Sequence, residues 1–323
     1  MVRQAEGNDR QRSDENRPAP IAGSLVRVVI PVHHYPLTQA EQAALERCLS
    51  VLHRYPICIV TPEGLDAEEL LRRHPQLQRE TFADEYFVSA YSYNKFMLAD
   101  EFYARFAAYE YILVHQLDAF VFSDQLHDWC MSGYDYVGAP WIWSSRQPTL
   151  PYRLYIGALR TLCRVIDRPN SADLPPDKFF QRQLCYSAGN GGLSLRRVAR
   201  MREVLAKLHE RANIYRAGKP AAWAERPSGR LGEDVFFCVE ANRYWRHVKT
   251  PGLGAAAQFA WETNPAIAAR LTGGVLPFGC HGWNKLSLDQ WRPVFARFGY
   301  HLDDLLSGPG SGPTGGSQDI VKS

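Results

Sequence analysis

The sequence lacks the features that mark disulfide-rich, membrane-spanning and nucleic-acid-binding proteins. Its 323 residues include only seven cysteines, scattered along the chain and never spaced as C-x-x-C. This usage indicates reduced thiols and excludes a disulfide framework or a cysteine zinc site. No apolar run reaches the ~18 residues that a bilayer-spanning helix needs. The formal net charge of +3 is too small to indicate nucleic acid as a partner.

Several catalytic signatures are also missing. There is no phosphate-binding G-x-x-x-x-G-K, no dinucleotide-binding G-x-G-x-x-G between a strand and a helix, and no nucleophile-elbow G-x-S-x-G. The first 20 residues contain no apolar segment of the kind found in signal peptides. We therefore expect a cytoplasmic protein, at most peripheral at the inner face of a membrane.

What is present is an alternation of strands and helices. The run LVRVVIPV at residues 25–32 predicts a strand, and Thr38 with Glu41 forms a capping box that opens a helix. A second strand follows at residues 56–60 and another helix at residues 66–73. This order predicts an α/β fold with a mostly parallel central sheet flanked by helices.

Composition divides the chain into three parts. Residues 1–22 are polar and mixed in charge, which predicts a disordered tail. Residues 23–304 are predicted to form one domain, with an insertion or lid at residues 143–183, where periodicity weakens. Residues 305–323 are rich in glycine, proline and serine and predict a flexible tail.

The stretch YEYILVHQLDAFVF at residues 109–122 places one carboxylate, Asp118, between two apolar runs. A buried strand that delivers a single acid at its carboxyl end is typical of ligand sites in open α/β sheets. Such an acid needs a cation, a metal or several donors as partner. An Asp that caps the next element explains the local spacing equally well.

Three later motifs could share a site with Asp118. Glycines at 189, 191 and 192, together with Asn190, predict a tight turn that needs positive φ or close backbone approach. Ser194 is predicted to cap the helix that follows. Glu233 and Asp234 precede an apolar helical start, and His281 lies between glycines in an aromatic loop. Each motif also has a purely structural explanation. The glycine turn could simply connect a strand to a helix, the acid pair could cap a helix, and His281 could be a hydrogen-bonded loop residue.

Taken together, these motifs resemble a glycosyltransferase of the GT-A type. More closely, residues 25–300 resemble the domain-of-unknown-function family 5672, which is described as glycosyltransferase-like. The motifs that carry the resemblance are Tyr93-Asn94-Lys95, QLDAFVF at 116–122, YVGAPW at 136–141, GNGGLSLR at 189–196, EDVF at 233–236 and PFGCHGW at 277–283.

The resemblance implies a donor site for a nucleotide sugar. Asp118 and His281 would bind a divalent cation, Mn²⁺ or Mg²⁺, that neutralises the departing diphosphate. Gln116 stands where the first acid of the family's Asp-x-Asp motif is found, which puts the strength of metal binding in question. Lys95 could supply charge instead. The donor-binding set is then Tyr93, Asn94, Lys95, Gln116, Asp118, Asn190, Gly191 and Gly192.

The same resemblance assigns the acid pair to the acceptor. Asp234 would be the general base that takes the acceptor's hydroxyl proton, with Glu233 orienting it or binding an acceptor hydroxyl. The expected function is transfer of a sugar to a glycan or lipid-linked acceptor, with inversion of configuration. The alternative is a catalytically silent carbohydrate-binding or scaffold module. Trp141 and Trp283 could stack on sugars or could pack in the core.

Overall fold

A computed structural model describes residues 24–142, 149–166, 184–217 and 232–307. The predicted N-terminal tail, most of the predicted C-terminal tail, and residues 143–148 and 167–183 of the predicted insertion lie outside these ranges. Among the described residues, no helix is both long and apolar enough to cross a bilayer.

Nine strands form two sheets in the described part of the chain. The larger sheet contains β1 (Ser24–Pro31), β2 (Ile57–Pro62), β3 (Gln78–Phe82), β4 (Tyr109–His115), β6 (Tyr136–Gly138) and β7 (Leu193–Arg197). The smaller sheet contains β5 (Ala119–Val121), β8 (Ala260–Trp261) and β9 (Gly279–His281).

The larger sheet has the order β3-β2-β1-β4-β7-β6. Its first four strands are mutually parallel, whereas β7 runs antiparallel to both of its neighbours. Along β1, Val28 and Ile30 pack into one apolar layer and Val29 into the layer on the opposite face, all fully buried. Burial on both faces is what a parallel sheet requires. The predicted α/β class with a mostly parallel sheet is confirmed.

Helices cover both faces of this sheet. They are α1 (Gln39–Val51), α2 (Glu68–Arg73), α3 (Ala90–Met97), α4 (Asp100–Arg105), α5 (Leu126–Met131), α6 (Leu150–Ile166), α7 (Val198–Lys207), α8 (His209–Ala217), α9 (Glu233–Val235, continued by a π turn at Phe236–Glu240), α10 (Leu253–Phe259), α11 (Pro265–Leu271), α12 (Leu288–Ala296) and α13 (Leu302–Ser307). The predicted capping box is confirmed: Glu41 N–H donates to Thr38 Oγ1, and Thr38 N–H donates to Glu41 Oε2. Helix α13 extends past residue 304, the predicted end of the domain, and α6 lies within the predicted insertion.

One local prediction is wrong. Ser194 does not cap a helix but lies inside β7, where its hydroxyl donates to the carbonyl of Gly191 at 2.9 Å. Helix α7 begins four residues later, with Arg197 in the N-cap position. Leu193 and Leu195 are buried on one face of β7, alternating with Ser194, which is the period of a strand.

The smaller sheet brings β9 close to the carboxyl end of β4, a central strand of the larger sheet. β9 pairs antiparallel with β5, which places His281 opposite Ala119, and Gly282 N–H donates to the Asp118 carbonyl at 3.0 Å. β5 itself follows β4 after a turn of three residues, closed by the bond from Ala119 N–H to the Gln116 carbonyl. The backbone therefore fixes His281 beside Asp118.

Candidate active site

Asp118 occupies the turn between β4 and β5, at the carboxyl end of a parallel strand, as the sequence predicts. One carboxylate oxygen lies 3.1 Å from His281 Nε2, and the other accepts from Lys285 Nζ at 3.1 Å. Burial alone would raise the pKa of Asp118, but the charges of His281 and Lys285 outweigh burial and hold that pKa well below its usual range. Asp118 is thus an ionised carboxylate held between two cations.

His281 is held between two carboxylates. Its Nδ1 lies 3.0 Å from Glu262 Oε1, and its Nε2 faces Asp118 as well as Gln116 Oε1 at 3.3 Å. Burial would lower the pKa of His281, but Asp118 and Glu262 together raise it to about 10. The imidazole therefore carries a positive charge at neutral pH.

Glu262 is a member of the site that the sequence assignment missed. The same Oε1 atom that contacts His281 accepts from Asn190 Nδ2 at 2.6 Å, and Asn190 Oδ1 in turn accepts from Gly192 N–H at 2.9 Å. Glu262 therefore ties His281 to the glycine turn. Its only local signal is a lone acid in the stretch FAWETNP, which has no motif of its own.

Positions 191 and 192 require glycine because neighbouring side chains leave no room for a Cβ atom. A Cβ on Gly192 would overlap the His281 ring, and a Cβ on Gly191 would overlap the Glu233 carboxylate. Neither residue has a positive φ, so close approach, the second of the two predicted reasons, applies here. Two consecutive residues without side chains thus separate His281 from the acid pair.

Glu233 forms a buried ion pair. Arg196 donates to its Oε1 at 2.8 Å, and both side chains are almost completely inaccessible. The guanidinium also donates to Tyr103 Oη at 3.0 Å and to Ser194 Oγ at 2.9 Å. Burial raises the pKa of Glu233 although Arg196 opposes that shift. This network fixes the start of α9 against β7.

Asp234 differs from its neighbour because no cation is bonded to it within the described ranges. Its side chain is partly buried, and among the described residues its Oδ1 accepts only from the Val235 N–H, at 2.7 Å. Burial, followed by the negative charge of Glu233, raises the pKa of Asp234 to about 8. A carboxylate with this pKa is a competent proton acceptor near neutral pH.

The motif Tyr93-Asn94-Lys95 on α3 only partly joins this site. Tyr93 lies near Gln116, and Asn94 Oδ1 accepts from Glu233 N–H at 2.9 Å, which links α3 to α9. Lys95 instead places its ammonium over the Tyr91 ring, 4.6 Å from the ring centre. The structure thus gives Asn94 a positioning contact and shows Lys95 in a cation–π contact rather than beside Asp118.

The donor atoms around His281 fit a divalent cation in part. Nε2, Asp118 Oδ1 and Gln116 Oε1 converge, and a neutral imidazole with two oxygens is a donor set that Mn²⁺ accepts, so a cation here requires loss of the Nε2 proton. Glu262 on Nδ1 has the arrangement that orients metal-binding histidines. Within the described residues, no group of three or more His, Cys, Asp or Glu could hold a metal. Asp118, His281 and Gln116 would therefore supply only part of a cation's coordination shell.

The two tryptophans considered for sugar stacking are core residues. Trp283 is fully buried, 4.6 Å from Phe295 between ring centres, and Trp141 is 5% exposed beneath Gly189. Neither offers a face to a ligand, so the packing explanation is the correct one.

Comparison with known proteins finds a matching family and solved structures of similar fold. No curated protein matches it. Solved structures with similar folds include mouse xyloside xylosyltransferase 1 in its apo form, at 14% identity and a TM-score of 0.44, covering 80% of this chain and 97% of that one. The galactosyltransferase LgtC, in complex with donor and acceptor sugar analogues, has 12% identity and a TM-score of 0.48, covering 88% of this chain and 98% of that one.

The bifunctional glycosyltransferase WbbM, also in an apo structure, has 12% identity and a TM-score of 0.45. The match covers 89% of this chain and 50% of WbbM. The sequence model of the family described as "Protein of unknown function (DUF5672)" matches residues 76–281, which run from β3 to β9 and include Asp118, the glycine turn, the acid pair and His281. The chain belongs to this DUF5672 family.

Proposed function

We propose that the protein is a glycosyltransferase that moves a sugar from a nucleotide-sugar donor to a hydroxyl of a glycan or lipid-linked acceptor. The observation that carries this proposal is the convergence of Asp118, His281 and Lys285 at the carboxyl end of β4, with Asp234 beyond two glycines. One side of the site offers positive charge to a leaving diphosphate. The other side offers a carboxylate with a raised pKa to an attacking hydroxyl.

The donor's diphosphate would lie against His281 and Lys285. Lys285 is half exposed and reaches Asp118 from the solvent side, so its ammonium can turn from Asp118 to a bound anion. The side-chain amide of Gln116 adds a neutral polar contact. A divalent cation, if present, would displace the Nε2 proton of His281, would be held by Asp118, His281 and Gln116, and would supply charge neutralisation for the leaving diphosphate in place of the imidazolium.

Transfer needs one proton acceptor. The acceptor's oxygen forms a bond to the anomeric carbon of the donor sugar, the bond from that carbon to the diphosphate oxygen breaks, and the diphosphate leaves with the electron pair. Asp234 takes the hydroxyl proton as the new bond forms. Glu233, neutralised by Arg196, keeps α9 in place and contributes to the raised pKa of Asp234. Direct attack of this kind inverts the anomeric configuration.

The internal pairing of Asp118 favours a second candidate, a silent carbohydrate-binding module. Both carboxylate oxygens are already matched by cations of the same chain, an arrangement that is stable without any ligand. A silent module would bind glycans without cleaving nucleotide sugars. Hydrolysis of the donor in the absence of acceptor therefore separates the two candidates.

A thermal-shift screen of nucleotide sugars, with and without Mn²⁺, followed by a hydrolysis assay, tests the proposal. We expect one donor class to raise the melting temperature and to be hydrolysed slowly. Asp118→Asn should lose about tenfold or more in affinity for that donor, while the matched control Asp128→Asn, whose side chain is 90% exposed, should behave as wild type. Stabilisation by free glycans alone, with no donor bound or cleaved, would reject the transferase in favour of the silent module.

A further inference from the structure

A cavity of about 510 Å³ lies outside the residues considered so far. Its walls come from the first turns of α6, from residues 186–188 just before the glycine turn, from the π turn of α9, and from residues 242–253. Among the described residues that line it, Arg153 and Arg246 are cationic and none is acidic. This described part of the lining is therefore positively charged.

The two arginines have no counter-ion within the described ranges. Both side chains are exposed, and neither takes part in a salt bridge or a side-chain hydrogen bond there. Buried Arg196, by contrast, is fully occupied by Glu233 and its neighbours. Two guanidinium groups that face one cavity without a carboxylate partner favour an anion such as phosphate, which guanidinium groups bind with charge-assisted hydrogen bonds.

Part of the lining is apolar and continues onto the surface, beside polar residues such as Asn242 and Thr250. Leu150 and Leu154 lie one turn apart on α6, with exposures of 67% and 66%, and Leu253 and Val248 line the deeper part. Trp245, next to Arg246, is 77% exposed. Large apolar side chains that stay exposed beside arginines are typical of a surface that receives an amphiphile.

The cavity adjoins the proposed acceptor side of the active site. Cys238, in its wall, lies one helical turn after Asp234, and the charge of Asp234 contributes to raising the pKa of the Cys238 thiol. Residues 186–188, also in its wall, lead directly into the glycine turn. A ligand that fills the cavity therefore contacts Cys238, one helical turn from the proposed base.

We propose that this cavity binds the anionic, lipid-bearing part of the acceptor. A phosphate lies between Arg153 and Arg246, its lipid chain follows Leu150 and Leu154 outward, and its glycan end extends towards Asp234. The assignment to an acceptor rests on the proposed transferase function. The assignment of the ligand class, an amphiphile with a phosphate head, rests on the cavity alone.

Dodecyl phosphate below its critical micelle concentration is a suitable probe, with binding measured by isothermal titration calorimetry. Dodecyl maltoside reports on the tail alone and inorganic phosphate on the head alone. The double variant Arg153→Gln/Arg246→Gln removes both charges. Arg72→Gln/Arg297→Gln is its matched control, since these two arginines are exposed and lie outside the cavity.

We expect dodecyl phosphate to bind more tightly than either partial probe, and the double variant to weaken it about tenfold or more. The control double variant should bind dodecyl phosphate as wild type does. Both double variants should have the melting temperature of the wild-type protein, because all four arginines are exposed. Equal binding by both double variants, or equal binding of dodecyl maltoside and dodecyl phosphate, would overturn the anion site. Inorganic phosphate binding as tightly as dodecyl phosphate would overturn the lipid assignment.

Titrations of nucleoside diphosphates on the same proteins separate this inference from the proposed function. Arginine-dependent binding of dodecyl phosphate in a protein that binds no nucleotide would retain the cavity's ligand class and reject the transferase. Nucleotide binding that is unchanged in Arg153→Gln/Arg246→Gln, together with lost dodecyl phosphate binding, supports both.

Discussion

Asp118 and Asp234 are the same residue type in one site, yet their surroundings shift their acidity in opposite directions. Asp118 lies between His281 and Lys285, which hold its pKa below the usual range, whereas Asp234 lies beside Glu233, and burial with that negative charge raises its pKa to about 8. Two carboxylates whose pKa values are separated in this way suit two different tasks. Asp118 suits the binding of cations, and Asp234 suits the acceptance of a proton.

The largest effect that we expect is the loss of turnover in Asp234→Asn, which tests whether Asp234 is the proton acceptor. Because a general base acts only in the transition state, turnover should fall by about 10²–10⁴-fold while donor affinity stays nearly constant. Steady-state kinetics with calorimetric donor binding measures both quantities. Glu233→Gln should act more mildly. Full activity in both variants would show that this pair does not supply the base, and a loss confined to Glu233→Gln would exchange the two roles.

His281→Ala tests the binding role of the Asp118 side of the site. Removing the imidazole deprives Asp118 of one cation and the diphosphate of one contact, so we expect affinity for the nucleoside diphosphate to fall about tenfold, and turnover to fall with it. Titration calorimetry with the nucleoside diphosphate measures the change. His301→Ala, at an exposed histidine, is the control. Unchanged diphosphate affinity in His281→Ala would reduce His281 to a structural residue.

The pH dependence of turnover sharpens the assignment of the base. Asp234 must be ionised to accept a proton, so kcat/KM should rise about tenfold per pH unit and level off above roughly pH 8. Burial is the largest cause of this raised pKa; Glu233 and Glu262 raise it further, whereas the Val235 N–H and Arg196 lower it. Glu233→Gln removes one negative charge, which should move the rise to lower pH. An identical profile in wild type and Glu233→Gln would contradict the coupling.

The smallest predicted effect concerns stability. A carboxyl group whose pKa is higher in the folded than in the unfolded protein lowers the free energy of unfolding as it ionises. For Asp234 this loss of stability develops as the pH rises from about 4, the unfolded pKa, to about 8, the folded pKa. Asp234→Asn removes this dependence, so the variant should gain about 1 kcal/mol over wild type at pH 9 and lose that gain towards pH 4. Urea unfolding at both pH values measures the difference. A constant difference between the two proteins would mean that Asp234 is not shifted in the folded state.

Local patterns were sufficient to predict the α/β class, the strands β1, β2 and β4, and the capping box at Thr38. They failed at β7, where Ser194 was assigned to a cap, because the short alternation of Leu193 to Arg196 was read as the start of the longer helical pattern after it. They also missed β3, whose residues QRETF contain a single large apolar side chain.

Residues of the candidate site could be predicted from the sequence only where a polar or charged residue lies within an apolar stretch. Asp118, His281 and the acid pair stand out as polar residues in apolar surroundings, and the structure places them within one cluster. Glu262 and Lys285 could not be found in this way, since their contacts depend on how β8, β9 and the loop after β9 pack against β5. Lys95 shows the reverse: an expected donor contact is replaced by the neighbouring Tyr91 ring.

The pairing of β9 with β5 has a consequence for how the protein acquires its site. Gln116 and His281, which face one another, are 165 positions apart in the chain, so the histidine arrives only after nearly the whole domain has been made. Contacts of such long separation form late and slowly, because the closure of a long loop opposes them. A nascent chain that ends before residue 279 can build the parallel strands of the larger sheet but has no histidine to place beside Asp118. Ligand binding at this site therefore reports completed folding of the carboxyl-terminal segment.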